Sequence, residues 1–338
     1  MGGDPIKGEI QEVLSDERII SIAQDVTQLQ QTVYEMAKAE YPESAWGDSS
    51  NPIILKQRAD QHSFSVSVHN RMTGGVLENL TGDPLSQSQQ LPFCFRNPNA
   101  SGLISKIEMD ATNDLETELR YKTIEKTRTL IKHLDLTDSE TKLLIIGGYL
   151  HDQGKYMEPE IKDMKKEDVH FVTMNKDENG KRKVLPNPYY KKLQAEGIGK
   201  ELKDIENANP ILQALGSREE QAVDHQPDLL TIYYYKTLEK KDLLTNKEEI
   251  FLEQVHSYFT WISAHRYSLT QEQIASLAQS LDDENTRLFC IALTLSVADE
   301  IAKGVVFSPP SPNTRRIEKF KNVNIMLDTF NKKLDILK

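Results

Sequence analysis

The stretch "GGYLHDQGK", Gly147 to Lys155, ends a greasy run in an imidazole and a carboxylate side by side, His151 and Asp152. Gly154 and Lys155 follow. Adjacent helical positions point about 100° apart, so the two side chains cannot both face one neighbouring helix. Both can reach one ion at the helix end, where Gly154 lets the chain turn away. Imidazole and carboxylate together suit a divalent transition metal that keeps positions open for water. The plainer use of the pair is a histidine capping the helix C-terminus beside a solvated aspartate. Two later stretches carry further metal-capable side chains. "SREEQAVDHQPD" puts His225 late on a helix opened by Ser217 and Glu220 at capping-box spacing. "ALTLSVADEIAKG" puts Asp299 on an apolar helix, ahead of Lys303 and Gly304.

Taken in this order, "YLHDQGK", "SREEQAVDHQPD" and "ALTLSVADEIAKG" resemble the motifs of the HD superfamily of metal-dependent phosphohydrolases, named for the His-Asp pair. The resemblance covers 115–304, or 57–304 with the upstream segment. It implies an all-α, HD-domain-like helical bundle. It further implies a divalent cation (Mn, Fe, Co or Mg) held by His151, Asp152, Asp299 and one upstream histidine. Asp152 would bridge to a second cation that His225 helps to hold, and Lys155 would steady a phosphate oxygen. The implied catalytic set is therefore Asp152, Lys155 and His225. The implied reaction is hydrolysis of a phosphomonoester or phosphodiester, often of a nucleotide. As a residue read by itself, Lys155 serves equally well as a solvated lysine at a helix C-terminus. The separation 299 − 151 = 148 residues leaves room for an insertion.

The family places its first histidine on the helix before the pair. Here that position falls near Arg120 and Tyr121, and no histidine is there. The candidates lie in "QHSFSVSVHNR". His62 followed by Val66 resembles the family's opening pattern, and His69 lies two turns further along the same face if the segment is helical. Phe64, Val66 and Val68 also alternate with serines, as in a strand. Both readings stand, with His62 ahead of His69 for its spacing to Val66. The remaining histidines have ordinary readings. His133 is an exposed helix-end residue, His170 an exposed residue of a hairpin, His256 a core histidine on an apolar helix, and His265 structural. Arg218 and Arg287 read as surface residues.

The elements that must position these residues are mostly helical. Residues 9–38 carry apolar side chains at helical spacing. Residues 40–56 form a loop, and 75–115 is Gly-, Pro-, Ser- and Gln-rich and reads as irregular. From 115 to 152 the pattern is helix, turn, helix, the second opening on Thr137 and Glu140 at capping-box spacing. "VHFVTMNKDENGKRKVLP" predicts a small β-hairpin around Asn179 and Gly180. Helices are expected near 187–195, 217–225, 227–239, 246–265, 270–282 and 284–303, and a surface helix at 314–337. The class is all-α with a β-hairpin insertion. The division is an N-terminal helical extension (1–56), an HD-like domain (57–304) with insertions at 75–115 and 156–210, and a C-terminal helix (305–338).

Composition narrows the function classes. The chain has 338 residues, 38% of them hydrophobic, enough for a sizeable core. Its 52 acidic against 41 basic residues give a formal charge of −11, which repels nucleic-acid backbones. A bound cation can still reverse the sign locally for a small phosphorylated substrate. Cys94 and Cys290 are too few and too far apart for a disulfide scaffold and read as core thiols of a cytoplasm-type protein. No signal-like segment opens the chain, and "LLIIGGYL" is too short to span a bilayer. There is no P-loop, dinucleotide fingerprint or serine nucleophile elbow. The competing function is an HD-like protein with an incomplete site, binding a nucleotide or a protein partner without turnover.

Overall fold

The computed structural model describes residues 69–83, 99–151, 170–176, 182–186, 245–266, 268–306 and 314–337, with positions 15, 17, 18, 20 and 21. The described chain is predominantly α-helical. In chain order the helices are α1 (69–81), α2 (Ala100–Met109), α3 (Leu115–Leu134), α4 (Asp138–Leu150), α5 (Asn246–His265), α6 (Gln271–Ser280), α7 (Asp283–Val306) and α8 (Thr314–Leu337). Between α4 and α5, β1 (His170–Lys176) pairs antiparallel with β2 (Arg182–Pro186), with Phe171 opposite Leu185 and Val172 opposite Val184.

Local chemistry sets most helix starts. Asp114 accepts from the Thr117 amide to open α3. Complete capping boxes open α4 (Thr137 with Glu140), α5 (Thr245 with Glu248) and α6 (Thr270 with Gln273). Two of these carboxylates also accept from a distant arginine. Arg287 Nη2 on α7 donates to Glu140 Oε2 at 2.7 Å, and Arg18 Nη1 donates to Glu248 Oε1 at 2.8 Å. Arg287 is therefore not a surface residue: it is buried, because the N-terminus of α4 supplies the anion that neutralises it.

Two helices are central. On α7 every side chain from Thr286 to Ala302 is buried, and on α1 every side chain from His69 to Glu78 is. Helices buried on all sides lie in the middle of a fold. Around α7 pack α3, α4, α5 and α8. The C-terminal α8 buries Phe320, Val323, Leu327, Phe330 and Leu334, and lies along α3. These two helices run parallel, since Arg316 pairs with Glu116, Asn324 bonds the Leu119 carbonyl and Thr123, and Lys126 pairs with Asp328.

Within 75–115 the structure departs from the irregular reading. Val76, Leu77 and Leu80 continue the buried surface of α1, and Ala100, Ile104 and Ile107 bury one face of α2. Each set has helical spacing, which the polar, turn-forming residues between them disguise. Among the described residues no helix is long and apolar enough to cross a membrane.

Candidate metal centre

The crossing of α1 and α4 is the first thing the site depends on. A Cβ built on Gly148 would lie 2.4 Å from Leu77 Cδ1 and 3.3 Å from Gly74 Cα, and one on Gly74 would lie 2.4 Å from the Tyr149 ring. Glycine at both positions lets the two backbones nearly touch. Tyr149 Oη, donating to Glu78 Oε1 at 2.7 Å, fastens the crossing. His69 is the first described residue of α1, and His151 is the C-cap of α4. The close approach brings their rings together, with centroids 5.0 Å apart.

Central α7 supplies the third group. Asp299 Oδ1 lies 3.0 Å from His69 Nε2 and 3.3 Å from His151 Nε2, and the two Nε2 atoms are 3.2 Å apart. All three residues are buried. His151 Nδ1 donates to the Gly148 carbonyl at 2.8 Å, which makes Nε2 the lone-pair nitrogen of the neutral ring. The Phe259 ring meets His151 edge-on at 5.7 Å and holds it in place. Three electron-rich atoms aimed at one point require a proton or a cation among them. Donor atoms cis to one another on an ion with bonds of about 2.1 Å sit about 3.0 Å apart in an octahedral and about 3.4 Å apart in a tetrahedral set. The observed edges match such a set, so His69, His151 and Asp299 fit one face of a divalent cation.

The other oxygen of Asp299 is held from behind. Oδ2 accepts from Lys303 Nζ at 2.7 Å and Arg266 Nη1 at 3.1 Å, and Arg266 Nη1 also donates to Ser296 Oγ at 2.9 Å. Burial pushes the Asp299 carboxyl up, but Lys303, the two imidazoles and Arg266 together outweigh it and hold it well below the usual carboxylate range. Asp299 is thus a fixed anion with one oxygen left to face the imidazoles. Next to it, Glu300 forms ion pairs with Arg266, Nη2 to Oε1 at 2.5 Å, and with Lys319 of α8.

Of the residues singled out by sequence, the structure brings together His69, His151 and Asp299. His62, Asp152, Lys155, Arg218 and His225 lie outside the described residues, as does Cys94. His133, in the last turn of α3, takes no part in the cluster. His265 is buried against Trp261, with ring centroids 4.5 Å apart, and Cys290 is buried in α7. Arg266 and Glu300 were not foreseen. Lys303, one turn beyond Asp299, has ordinary ion-pair spacing that could have flagged it, whereas nothing in the sequence connects Arg266 to Asp299.

His256 lies on α5 with neither ring nitrogen hydrogen-bonded among the described residues, and its Nε2 faces Gly147. Burial, with a smaller contribution from His151, pushes its pKa down to about 3. The sign follows from linkage. A free histidine binds a proton as pH falls through about 6.5, whereas buried His256 stays neutral, so acid favours the unfolded chain. In His256→Leu this loss is expected to vanish, and stability should fall by about 2 kcal/mol less than in the wild type between pH 7 and pH 5. Urea midpoints at the two pH values measure it. Equal pH dependence in both proteins would show that His256 protonates freely in the fold.

No family model matches this chain, and comparison with curated proteins and with solved structures finds no similar protein.

Proposed function

We propose that the chain is a divalent-metal-dependent phosphohydrolase with an HD-domain-like helical bundle, acting on a phosphomonoester or phosphodiester of nucleotide type. The observation that carries this reading is the convergence of His69, His151 and Asp299 on one point, with Asp299 held from behind by Lys303 and Arg266. In this set one carboxylate accompanies two neutral imidazoles. A divalent cation held there keeps a net positive charge, and the neighbouring lysine and arginine add to it. Such a centre favours an anionic oxygen ligand such as phosphate.

His69, His151 and Asp299 Oδ1 would hold the cation, with Asp152 as a further ligand and His225 beside a second ion. When bound, the cation supplies a nucleophilic hydroxide from water near neutral pH and offsets phosphate charge. Gly148, through its carbonyl, keeps the His151 lone pair on the ion side. Lys303 and Arg266 help to hold the Asp299 carboxyl well below the usual carboxylate range, in its ionised form. Lys303 keeps 28% of its side-chain exposure, so it can also approach a phosphate oxygen, a role that Lys155 would share. Water adds to phosphorus, the P–O bond to the leaving group breaks, and the leaving oxygen takes up a proton.

Elemental analysis of the purified chain should find about one to two divalent metal ions per chain. Chelation followed by manganese should switch phosphate release off and on across a panel of nucleoside phosphates, cyclic nucleotides and an aryl phosphate ester. A chain that takes up no manganese, iron, cobalt or magnesium is not this enzyme. A chain that takes up metal and is stabilised by nucleotides, yet releases nothing from the panel, is the binding protein without turnover.

A further inference from the structure

Where α1 crosses α4, buried polar side chains find partners. Thr73 Oγ1 donates to the His69 carbonyl at 3.0 Å, Tyr149 Oη to Glu78 Oε1 at 2.7 Å, and His151 Nδ1 to the Gly148 carbonyl at 2.8 Å. Asn70 is the exception. It is 1% exposed, and neither its Oδ1 nor its Nδ2 has a hydrogen-bond partner among the described residues. A primary amide carries two donors and a carbonyl acceptor, so its burial removes a full set of water contacts and returns none. Unmatched burial of this kind costs stability. A buried polar group left so in a fold calls for something that binds it, such as a water, an ion or a substrate.

Asn70 sits at the metal end of the crossing. His69 meets His151, and Gly74 meets Gly148, so the two helices pass antiparallel. From the contact of Gly74 with Gly148, Asn70 lies four residues towards the start of α1, about 6 Å along the axis. His151 lies three residues towards the end of α4, about 4.5 Å in the same direction. Residues four apart share a helix face, so Asn70 stands on the side of α1 that Gly74 turns to α4. His69, a donor of the cluster, precedes it in the chain. The carboxamide thus belongs to the same ends of α1 and α4 that supply His69 and His151, yet it hydrogen-bonds to none of the three donors. Two imidazoles and one carboxylate leave positions of a divalent cation to water. Groups one bond removed from an ion still orient its ligands and set its affinity.

We propose that Asn70 is a positioning residue of the metal centre: its Oδ1 accepts a hydrogen bond from water in an open position of the cation, and its Nδ2 donates to the anionic oxygen that enters beside that water. The inference rests on the phosphohydrolase reading above and adds a residue to its site. A carboxamide suits the task because it is neutral and offers an acceptor and a donor together. Water whose lone pair is on a cation donates, and Oδ1 receives it, whereas a phosphate oxygen accepts, and Nδ2 meets it. Asn70 thereby sets the direction from which water faces phosphorus, and it neither gives nor takes a proton.

The test compares Asn70→Leu with Asn70→Asp in the full chain. Leucine is of similar size and removes both polar ends, whereas aspartate keeps the acceptor and removes the donor. Competition with a chromogenic chelator gives manganese affinity, calorimetry gives inorganic phosphate binding to the manganese-loaded protein, and thermal melting gives the stability of the metal-free protein. Asn70→Leu should bind manganese about tenfold more weakly or worse, while its metal-free Tm stays level or rises, because an unmatched amide has gone. Asn70→Asp should keep at least the wild-type manganese affinity and bind phosphate more weakly, since a negative charge replaces the donor. Asn70→Ala serves in place of Asn70→Leu if that variant folds poorly. The proposal is overturned if Asn70→Leu binds manganese and phosphate as the wild type does. It is also overturned if leucine and aspartate weaken manganese alike, which is the pattern of a packing role. In either case a wild-type chain that binds manganese keeps its metal centre, whereas a wild-type chain that takes up none loses the metal reading and this inference together.

Discussion

Metal affinity is expected to fall by about a hundredfold or more in His69→Ala and in His151→Ala, since even residues that only orient a ligand are worth about ten- to a hundredfold. Each substitution removes one of three donors whose ligand atoms stand 3.0 to 3.3 Å apart, and no other described residue reaches the same point. His133→Ala should keep the wild-type affinity, because His133 stands outside the cluster. Asp299→Asn is expected to lose metal too, and something further. The amide removes one of the two carboxylates, Asp299 and Glu300, that Arg266 and Lys303 share, and breaking a buried ion pair from one side costs about 3–5 kcal/mol. Competition with a chromogenic chelator gives the affinities, and urea unfolding of the metal-free variants gives the stabilities. Retention of wild-type affinity in both His69→Ala and His151→Ala would remove the metal centre from the molecule. An Asp299→Asn variant as stable as the wild type would mean that Arg266 and Lys303 do not need Asp299 beside Glu300.

The parts of the site set by local chemistry were legible in the sequence, and the parts set by tertiary packing were not. Thr137 with Glu140 and the apolar run to Leu150 mark a helix that ends at His151. An aspartate inside an apolar helix, with a lysine four residues on, marks Asp299 as a buried anion with a partner. The upstream histidine was harder, because a choice between His62 and His69 turns on whether the backbone repeats every two residues or every 3.6. "SFSVSV" obeys the first period, whereas His69, which follows it, lies on a helix. Arg287 was misread because its partner is 147 residues away, and Arg266 went unnoticed because it meets Asp299 across 33 residues and two helices. No local rule addresses such pairs. The glycines were equally silent: "TGG" at 73–75 and "GG" at 147–148 show their use only where α1 and α4 cross.

That crossing supplies the second large effect. Gly74→Ala is expected to destabilise the protein by about 1–3 kcal/mol and to weaken metal binding, although residue 74 touches no metal donor. In an unconstrained helix the same change would stabilise by about 0.5–1 kcal/mol, so the sign itself is diagnostic. The added methyl would lie 2.4 Å from carbons of the Tyr149 ring. That ring is buried and tied through its hydroxyl to Glu78 on the same helix as Gly74, so it cannot swing aside without breaking a buried hydrogen bond. The helices must separate instead, and His151, two residues past Tyr149, moves away from His69. Gly148→Ala should cost less: its nearest neighbour, Leu77 Cδ1, ends a flexible side chain, and the Gly74 backbone stands off at 3.3 Å. Gly147→Ala should be close to neutral, since its methyl would meet only His256 Nε2 at 3.3 Å and Leu252 at 3.6 Å. Urea unfolding without metal and manganese titration of each variant give the two series. Both stability and affinity should decline from Gly147→Ala through Gly148→Ala to Gly74→Ala. A Gly74→Ala protein that gains stability and keeps its metal affinity would mean that α1 and α4 do not meet at these glycines, and that His69 and His151 are brought together by something else.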